Sequence, residues 1–288
     1  CNRSLMFNTK IKVRNILIIF VYISGLAWLY RFYLSFFYGK LYRVLCFHWI
    51  GKSYSKNFEK KLVWLKKHYR IMFLDDLHKR INNKKLKGNE IAITFDDGFS
   101  DFHDVVLPLL VKHKIPVTLF IPTKILELNK INTTKFAINN IGIKKTLLNK
   151  SQILDISKSK LVKLQSHSHT HCNFGTESTK FLKNELLESK RKIEKITGET
   201  VDILAYPFGD VFNTSNNALL ALKGAYYTTA LTIIPGFNHY YSKKLLLSRD
   251  SIDPNMNNLL LRAWLSGAYD ILKKFINWGR INVNKVTT

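Results

Sequence analysis

The sequence predicts an α/β domain on a parallel sheet, open or closed into a barrel, preceded by an apolar N-terminal helix. Three observations carry this reading. From residue 43 onward, short β-type apolar runs alternate with helical patterns. No internal repeat or Pro/Gly-rich linker divides the chain. At 288 residues and 46% apolar, it can bury one large core. The expected division is an N-terminal basic and apolar segment, residues 1–40, and one domain, residues 41–288.

The elements follow in order. ILIIFVYISGLAWLY, residues 16–30, is continuously apolar between Arg14 and Arg31 but shorter than the roughly 20 residues of a membrane span. FYLSFFY, residues 32–38, extends it if Arg31 snorkels. The segment reads as a membrane anchor or interfacial helix ahead of a buried core helix or a signal peptide, for which no small-residue cleavage site stands out. Basic residues on both flanks leave its orientation open.

RVLCFHWI (43–50) is a strand carrying His48. In SKNFEKKLVWLKKHY (55–69), Phe58, Leu62 and Leu65 share one helical face. IMFLDDLHKRI (71–81) reads as a short strand entering a helix, and NEIAITF (89–95) as a buried strand. A helix over FHDVVLPLLVKHK (102–114) and a strand over IPVTLFIP (115–122) come next, while the polar stretch 124–150 gives no clear element. SQILDISKSK (151–160) is a helix and LVKLQSHSH (161–169) a strand. Residues 177–197 form an amphipathic helix stopped by Gly198. VDILAYPFG (201–209), NTSNNALLALKG (213–224) and AYYTTALT (225–232) complete a strand–helix–strand unit.

The formal charge of +25 attracts polyanions. Its lysines, however, are scattered, with no basic stripe interleaved with stacking aromatics and no nucleic-acid module. Nucleic acid is therefore not an expected partner; anionic lipid head groups or an acidic glycan fit as well. Cys1, Cys46 and Cys172 show no CxxC spacing and leave one thiol unpaired, against a disulfide framework. Cys172 adjoins the histidines as a conceivable ligand, although a small buried residue is the simpler role.

Two stretches carry chemistry. ITFDDGFSD, residues 93–101, ends a strand in adjacent carboxylates, Asp96 and Asp97, each raising the cost of ionising the other. At the carboxyl end of a parallel strand, catalytic groups collect. QSHSHTHCNF, residues 165–174, places His167, His169 and His171 on one face if extended; if the chain curls, His167 and His171 converge. Imidazole with carboxylate suits zinc or another borderline divalent metal. Two histidines and one Asp on such a metal would relieve the Asp pair and leave the other Asp as a base.

TFDDG at 94–98, HSHTH at 167–171 and AYPFGD at 205–210, in this order, resemble the polysaccharide deacetylases of the NodB-homology type, carbohydrate esterase family 4. The likeness runs over residues 44–272. It implies a distorted (β/α) barrel that hydrolyses N-acetyl, sometimes O-acetyl, groups on sugars of a glycan. Asp96 matches the general base, and Asp97, His167 and His171 match the metal ligands, with zinc the expected ion. Ser168 matches a loop-supporting hydroxyl, and Phe208 falls where a backbone N–H meets the oxyanion. Ala205 stands where many members carry Arg, and LLLSRDSID offers no clear match to the usual acid histidine. Arg249 and His48 are further site candidates, Arg249 as a residue orienting Asp96. The expected substrate is a cell-envelope or surface polysaccharide, or a lipid-linked oligosaccharide, met at a bacterial inner membrane. The alternative is a weak or inactive glycan-binding relative that keeps the metal site.

Overall fold

The computed structural model describes residues 2–274. Cys1 and residues 275–288 of the expected domain lie outside the described residues. Two helices come first, α1 (Asn2–Ile23) and α2 (Leu26–Tyr38). The single apolar helix expected from sequence is thus two, bent by 67° at a break where Gly25 adopts φ 81°. Among the described residues no single helix is long and apolar enough to cross a membrane; only the bent pair is, by length and composition. Arg31 donates to the Gly88 carbonyl (2.9 Å) and faces the Phe237 ring, tying α2 to the domain.

The domain then alternates as β1 (Arg43–Phe47), α3 (Gly51–His68), β2 (Arg70–Ile71), α4 (Leu74–Asn82), β3 (Glu90–Phe95), α5 (Leu107–His113) and β4 (Val117–Ile121). The second half runs α6 (Lys130–Phe136), α7 (Lys150–Ser157), β5 (Val162–Ser166), α8 (Thr179–Thr197), β6 (Ile203–Ala205), α9 (Asn216–Gly224), β7 (Thr229–Leu231), β8 (Asp250–Ser251) and α10 (Asn258–Ser266). All the strand pairings are parallel, in the order β7-β6-β5-β4-β3-β1-β8, with β2 also beside β3. The sheet curls, and the run from Leu247 to Ser251 spans its open side: Leu247 bridges Leu231 of β7, and Asp250 and Ser251 pair with β1. This is the distorted (β/α) barrel expected.

The strands are apolar on both faces because both are covered. Leu45, Ile93, Leu119 and Leu204 pack under the outer helices, while Val44, Ala92, Phe120, Ala205 and Leu231 meet Leu74, Leu77 and Ile81 of α4. The stretch 124–150, unassigned from sequence, contains short 3-10 and π turns around α6 and the start of α7. The domain's two ends are joined by a buried cluster. Arg43 of β1 holds Asp250 through both its carboxylate oxygens (2.9 and 2.8 Å) and Asp270 (2.6 Å), and Trp264 of α10 donates to Asp250 (3.0 Å).

Candidate active site

The candidate residues converge at the carboxyl ends of the strands. His48 follows β1, Asp96 and Asp97 follow β3, His167 follows β5 and Phe208 follows β6; Arg249 enters just before β8. They line, or lie directly behind, a cavity of about 580 Å³ that includes His48, Trp49, Asp96, Asp97, His167, His171 and Phe208.

The Asp pair is separated by a turn. Asp97 takes φ 69°, and Gly98 follows at φ 68°, where a Cβ would sit 3.0 Å from the Ile121 side chain. An L side chain is strained there, which explains Gly in DDG. The turn is pinned by the neighbouring segment: Leu148 N–H donates to Gly98 O (2.7 Å) and Ser100 N–H to Thr146 O (3.0 Å).

The histidine stretch curls instead of extending. Ser168 (φ 63°) and His171 (φ 59°) adopt left-handed conformations, and the His171 N–H donates to Ser168 Oγ (2.9 Å). His167 and His171 therefore meet, ring centroids 4.9 Å apart. His169 turns away to Thr123 Oγ1 (2.9 Å), and Cys172 lies against Glu185, outside the triad. Glu185 of α8, missed in the sequence, accepts the His169 and Thr170 N–H groups (3.1 and 2.7 Å). Its place on the buried face beside Leu182, Leu186 and Ser189 was the available signal, since a carboxylate there needs partners.

Asp97 Oδ1 lies 3.2 Å from His167 Nε2 and 3.3 Å from His171 Nε2, all three residues buried. The other ring nitrogens meet carbonyls: His167 Nδ1 the Ala205 O (2.7 Å), His171 Nδ1 the Asn140 O (2.9 Å). A carbonyl only accepts, so each Nδ1 carries a proton and each Nε2 is left facing the carboxylate. Three acceptors facing one point require a cation or proton between them. The donor set fits a borderline divalent metal, and the backbone carbonyls are the usual outer support of such imidazoles. Burial by itself raises the Asp97 pKa, yet its contacts with His167 and His171 hold the carboxyl well below the usual range.

Asp96 faces the other way. Arg249, fully buried, grips both its oxygens (2.7 and 2.6 Å) and also donates to Thr94 Oγ1 (3.2 Å) and Thr232 O (2.8 Å). Burial pushes the Asp96 pKa up, but the guanidinium, with smaller help from His167 and His48, outweighs it and the net shift is downward. Arg249 thus brings a guanidinium to Asp96 in a chain with Ala205 at the earlier Arg position. Cys46 and His48 also approach Asp96, within 4.8 Å by their potential ligand atoms. That second group is a poor metal site, because Arg249 occupies both Asp96 oxygens and burial drives the Cys46 thiol well above its usual pKa.

Phe208 stands at the rim, half exposed, with φ 61° and its ring edge-on to His171 (4.8 Å). Its N–H has no acceptor among the described residues. Asp101, the last residue of ITFDDGFSD and unremarked from sequence, accepts the Ile50 and Gly51 N–H groups (2.5 and 3.0 Å) and so fixes the His48–Trp49 loop at the start of α3.

Known proteins carry the same fold. A deacetylase from Streptococcus pyogenes, solved with acetate, superposes with a TM-score of 0.63 at 20% identity, covering 78% of this chain and 98% of that one. A de-N-acetylase from Aggregatibacter actinomycetemcomitans gives 0.64 at 17%, covering 78% and 100%. The poly-β-1,6-N-acetyl-D-glucosamine N-deacetylase of Staphylococcus aureus is 24% identical over 217 residues, covering 70% of this chain and 71% of its own. The polysaccharide deacetylase family model matches residues 83–229, which hold the Asp pair, the histidine loop and Phe208. With half of its length matched, this chain belongs to the polysaccharide deacetylase family and is a carbohydrate deacetylase.

Proposed function

We propose that the chain is a metal-dependent hydrolase removing N-acetyl, or O-acetyl, groups from a cell-envelope or surface polysaccharide. The observation that carries the metal dependence is the orientation of His167 and His171, whose Nδ1–H groups are spent on carbonyls while both Nε2 atoms face Asp97 Oδ1. Asp97, His167 and His171 are the proposed ligands, and zinc suits them best. The ion would supply Lewis-acid polarisation of the acetyl carbonyl and of the attacking water.

The chain's own groups do the rest. Asp96, kept ionised by Arg249, takes the proton from water as it attacks. The Phe208 N–H points its dipole at the carbonyl oxygen as charge gathers there. His48 lines the same cavity and is its imidazole outside the triad; it donates a proton to the leaving nitrogen, so that acetate and a free amine depart. The Staphylococcus relative makes a β-1,6-linked N-acetylglucosamine polymer the first substrate to try.

Membrane association is part of the proposal. Phe20 of α1 and Phe36 of α2 are 66% and 75% exposed, among a run of exposed apolar side chains on both helices, the kind of surface that interfacial helices present to lipid.

The test is acetate release from an N-acetylglucosamine oligomer by the purified protein with and without zinc, beside Asp96→Asn. Zinc-dependent release that disappears in the variant is the expected result. Release unaffected by chelation, or retained by Asp96→Asn, would refute the mechanism.

A further inference from the structure

The metal-site cavity does not end at the barrel mouth. It shares His48, Trp49, Asp210 and Ile233 with a neighbouring cavity of about 760 Å³, so the two form one groove. The far end of that groove is walled by Arg14 of α1, Trp264 of α10, and Tyr269 and Lys273 of the helical turns after Gly267. All four lie outside the stretch matched by the family model. The N-terminal helix is therefore a wall of the groove.

Two cations stand there outside any ion pair among the described residues. Among the described residues, neither Arg14 nor Lys273 has a carboxylate at ion-pair distance, whereas the buried Arg43 and Arg249 are both paired. The guanidinium of Arg14 lies over the Trp264 and Tyr269 rings (5.7 and 5.8 Å), and its side-chain acceptor is Asn15 Oδ1 (3.2 and 3.4 Å). Lys273 is half-buried; desolvation lowers its pKa against the opposing fields of Asp270 and Asp250, two carboxylates already held by Arg43. The groove's acids are tied into turns: Asp210, shared with the metal-site cavity, accepts the Phe212 and Asn213 N–H groups, and Asp253 that of Asn255. Beyond Arg14, the exposed Val13, Ile16, Leu17 and Phe20 continue along α1.

We infer that Arg14 and Lys273 form a phosphate-binding subsite at the distal end of the substrate groove, which takes the phosphate that joins a glycan to its lipid. The glycan lies along the groove toward the metal site, the phosphate meets two cations that are in no ion pair, and the lipid departs along the apolar face of α1. Charge-assisted contacts to a phosphate are among the stronger polar interactions, and Arg suits its geometry. The inference rests on the proposed deacetylase reading for what occupies the near end of the groove.

The experiment compares an N-acetylglucosamine pentasaccharide with its reducing-end 1-phosphate, using the zinc-loaded full chain and reading KM and kcat from acetate release and Kd by calorimetry. The expected result is a KM and Kd about tenfold lower for the phosphate, equivalent to roughly 1.4 kcal/mol, with kcat alike and the gap shrinking in salt. Arg14→Gln with Lys273→Gln should erase the gap, while Arg14→Lys should keep it, which separates loss of charge from loss of packing. Equal KM and Kd for the two probes in the wild type would overturn the subsite while leaving the deacetylase reading intact. No acetate from either probe, with tight binding of the phosphate that is lost in the double Gln variant, would leave the subsite standing and refute the deacetylase reading for this substrate. Dihexanoyl phosphatidylglycerol binding to the wild type and not to the double variant, with no preference between the sugars, would assign the cations to a bilayer head group and overturn the proposal.

Discussion

Replacing Arg249 with Met should do two separable things. The side chain is fully buried and holds both Asp96 oxygens at 2.7 and 2.6 Å. Unit charges about 4 Å apart at an effective dielectric of about 20 attract by about 4 kcal/mol. Removing one partner of a buried pair typically costs about 3–5 kcal/mol, because the other charge is left uncompensated. The Thr232 carbonyl also loses its Arg249 donor. A loss of about 4 kcal/mol in the urea unfolding of the variant at neutral pH is expected. Asp96 adds the second effect. With its folded pKa below the ordinary value, its ion pair stabilises the fold above the unfolded pKa, and that contribution is lost as pH falls through the folded one. Without Arg249, burial is opposed only by the weaker fields of His167 and His48 and the carboxyl moves upward, so the acid limb of the kcat/KM profile should shift toward neutral pH. Asp96→Leu combined with Arg249→Met removes both charges and should be more stable than Arg249→Met alone. A single variant that loses less than about 1 kcal/mol, or a profile whose acid limb stays put, would refute the assignment of Arg249 as the group that keeps Asp96 ionised.

Asp97→Asn should abolish zinc binding at one equivalent in equilibrium dialysis, and unchanged stoichiometry would remove Asp97 from the ligand set. Glu185→Ala frees the His169 and Thr170 amides and should cost about 1–3 kcal/mol in stability and roughly 10–100-fold in zinc affinity; a variant with wild-type affinity would show that the loop holds its shape without this carboxylate. His48→Gln should lower kcat on an N-acetylated oligomer by about 10²–10⁴-fold with zinc binding intact, and wild-type turnover would pass the proton-donor role to another group.

What the sequence made legible was local. The continuous apolar runs VTLFI and EIAITF gave their strands, and the strand-to-DDG transition put the Asp pair at a carboxyl end. The histidine spacing allowed two geometries, and choosing between them depended on Ser168 and His171 adopting positive φ, which no periodicity reveals. What stayed hidden depends on residues far apart in sequence. Asn140 lies in a stretch without periodicity, yet its carbonyl fixes the His171 tautomer. Asp101 looks like one more turn acid, and only the approach of the Ile50 and Gly51 amides gives it a task. The joining of β1, β8 and α10 through Arg43, Asp250, Asp270 and Trp264 spans more than 200 residues and leaves no local mark.

The adjacency of Asp96 and Asp97 follows from the same geometry. Two carboxylates on consecutive residues of a regular strand would point to opposite faces, one into the core and one into the site. Here the chain leaves β3 at Phe95, and the left-handed turn at Asp97 lets both acids stay at the barrel mouth with different neighbours. Asp96 meets a guanidinium that remains charged at every working pH. Asp97 meets two imidazoles, whose free nitrogens call for a cation. Each acid therefore has its own counter-charge, and the repulsion between them is offset on both sides. Both remain ionised, as the proposed base and ligand must be, because Arg249 and the histidine loop approach from opposite sides of β3 in the sheet order, next to β8 and after β5. A chain with only one of these partners would have to protonate one acid, and would lose either the proposed base or the proposed metal ligand.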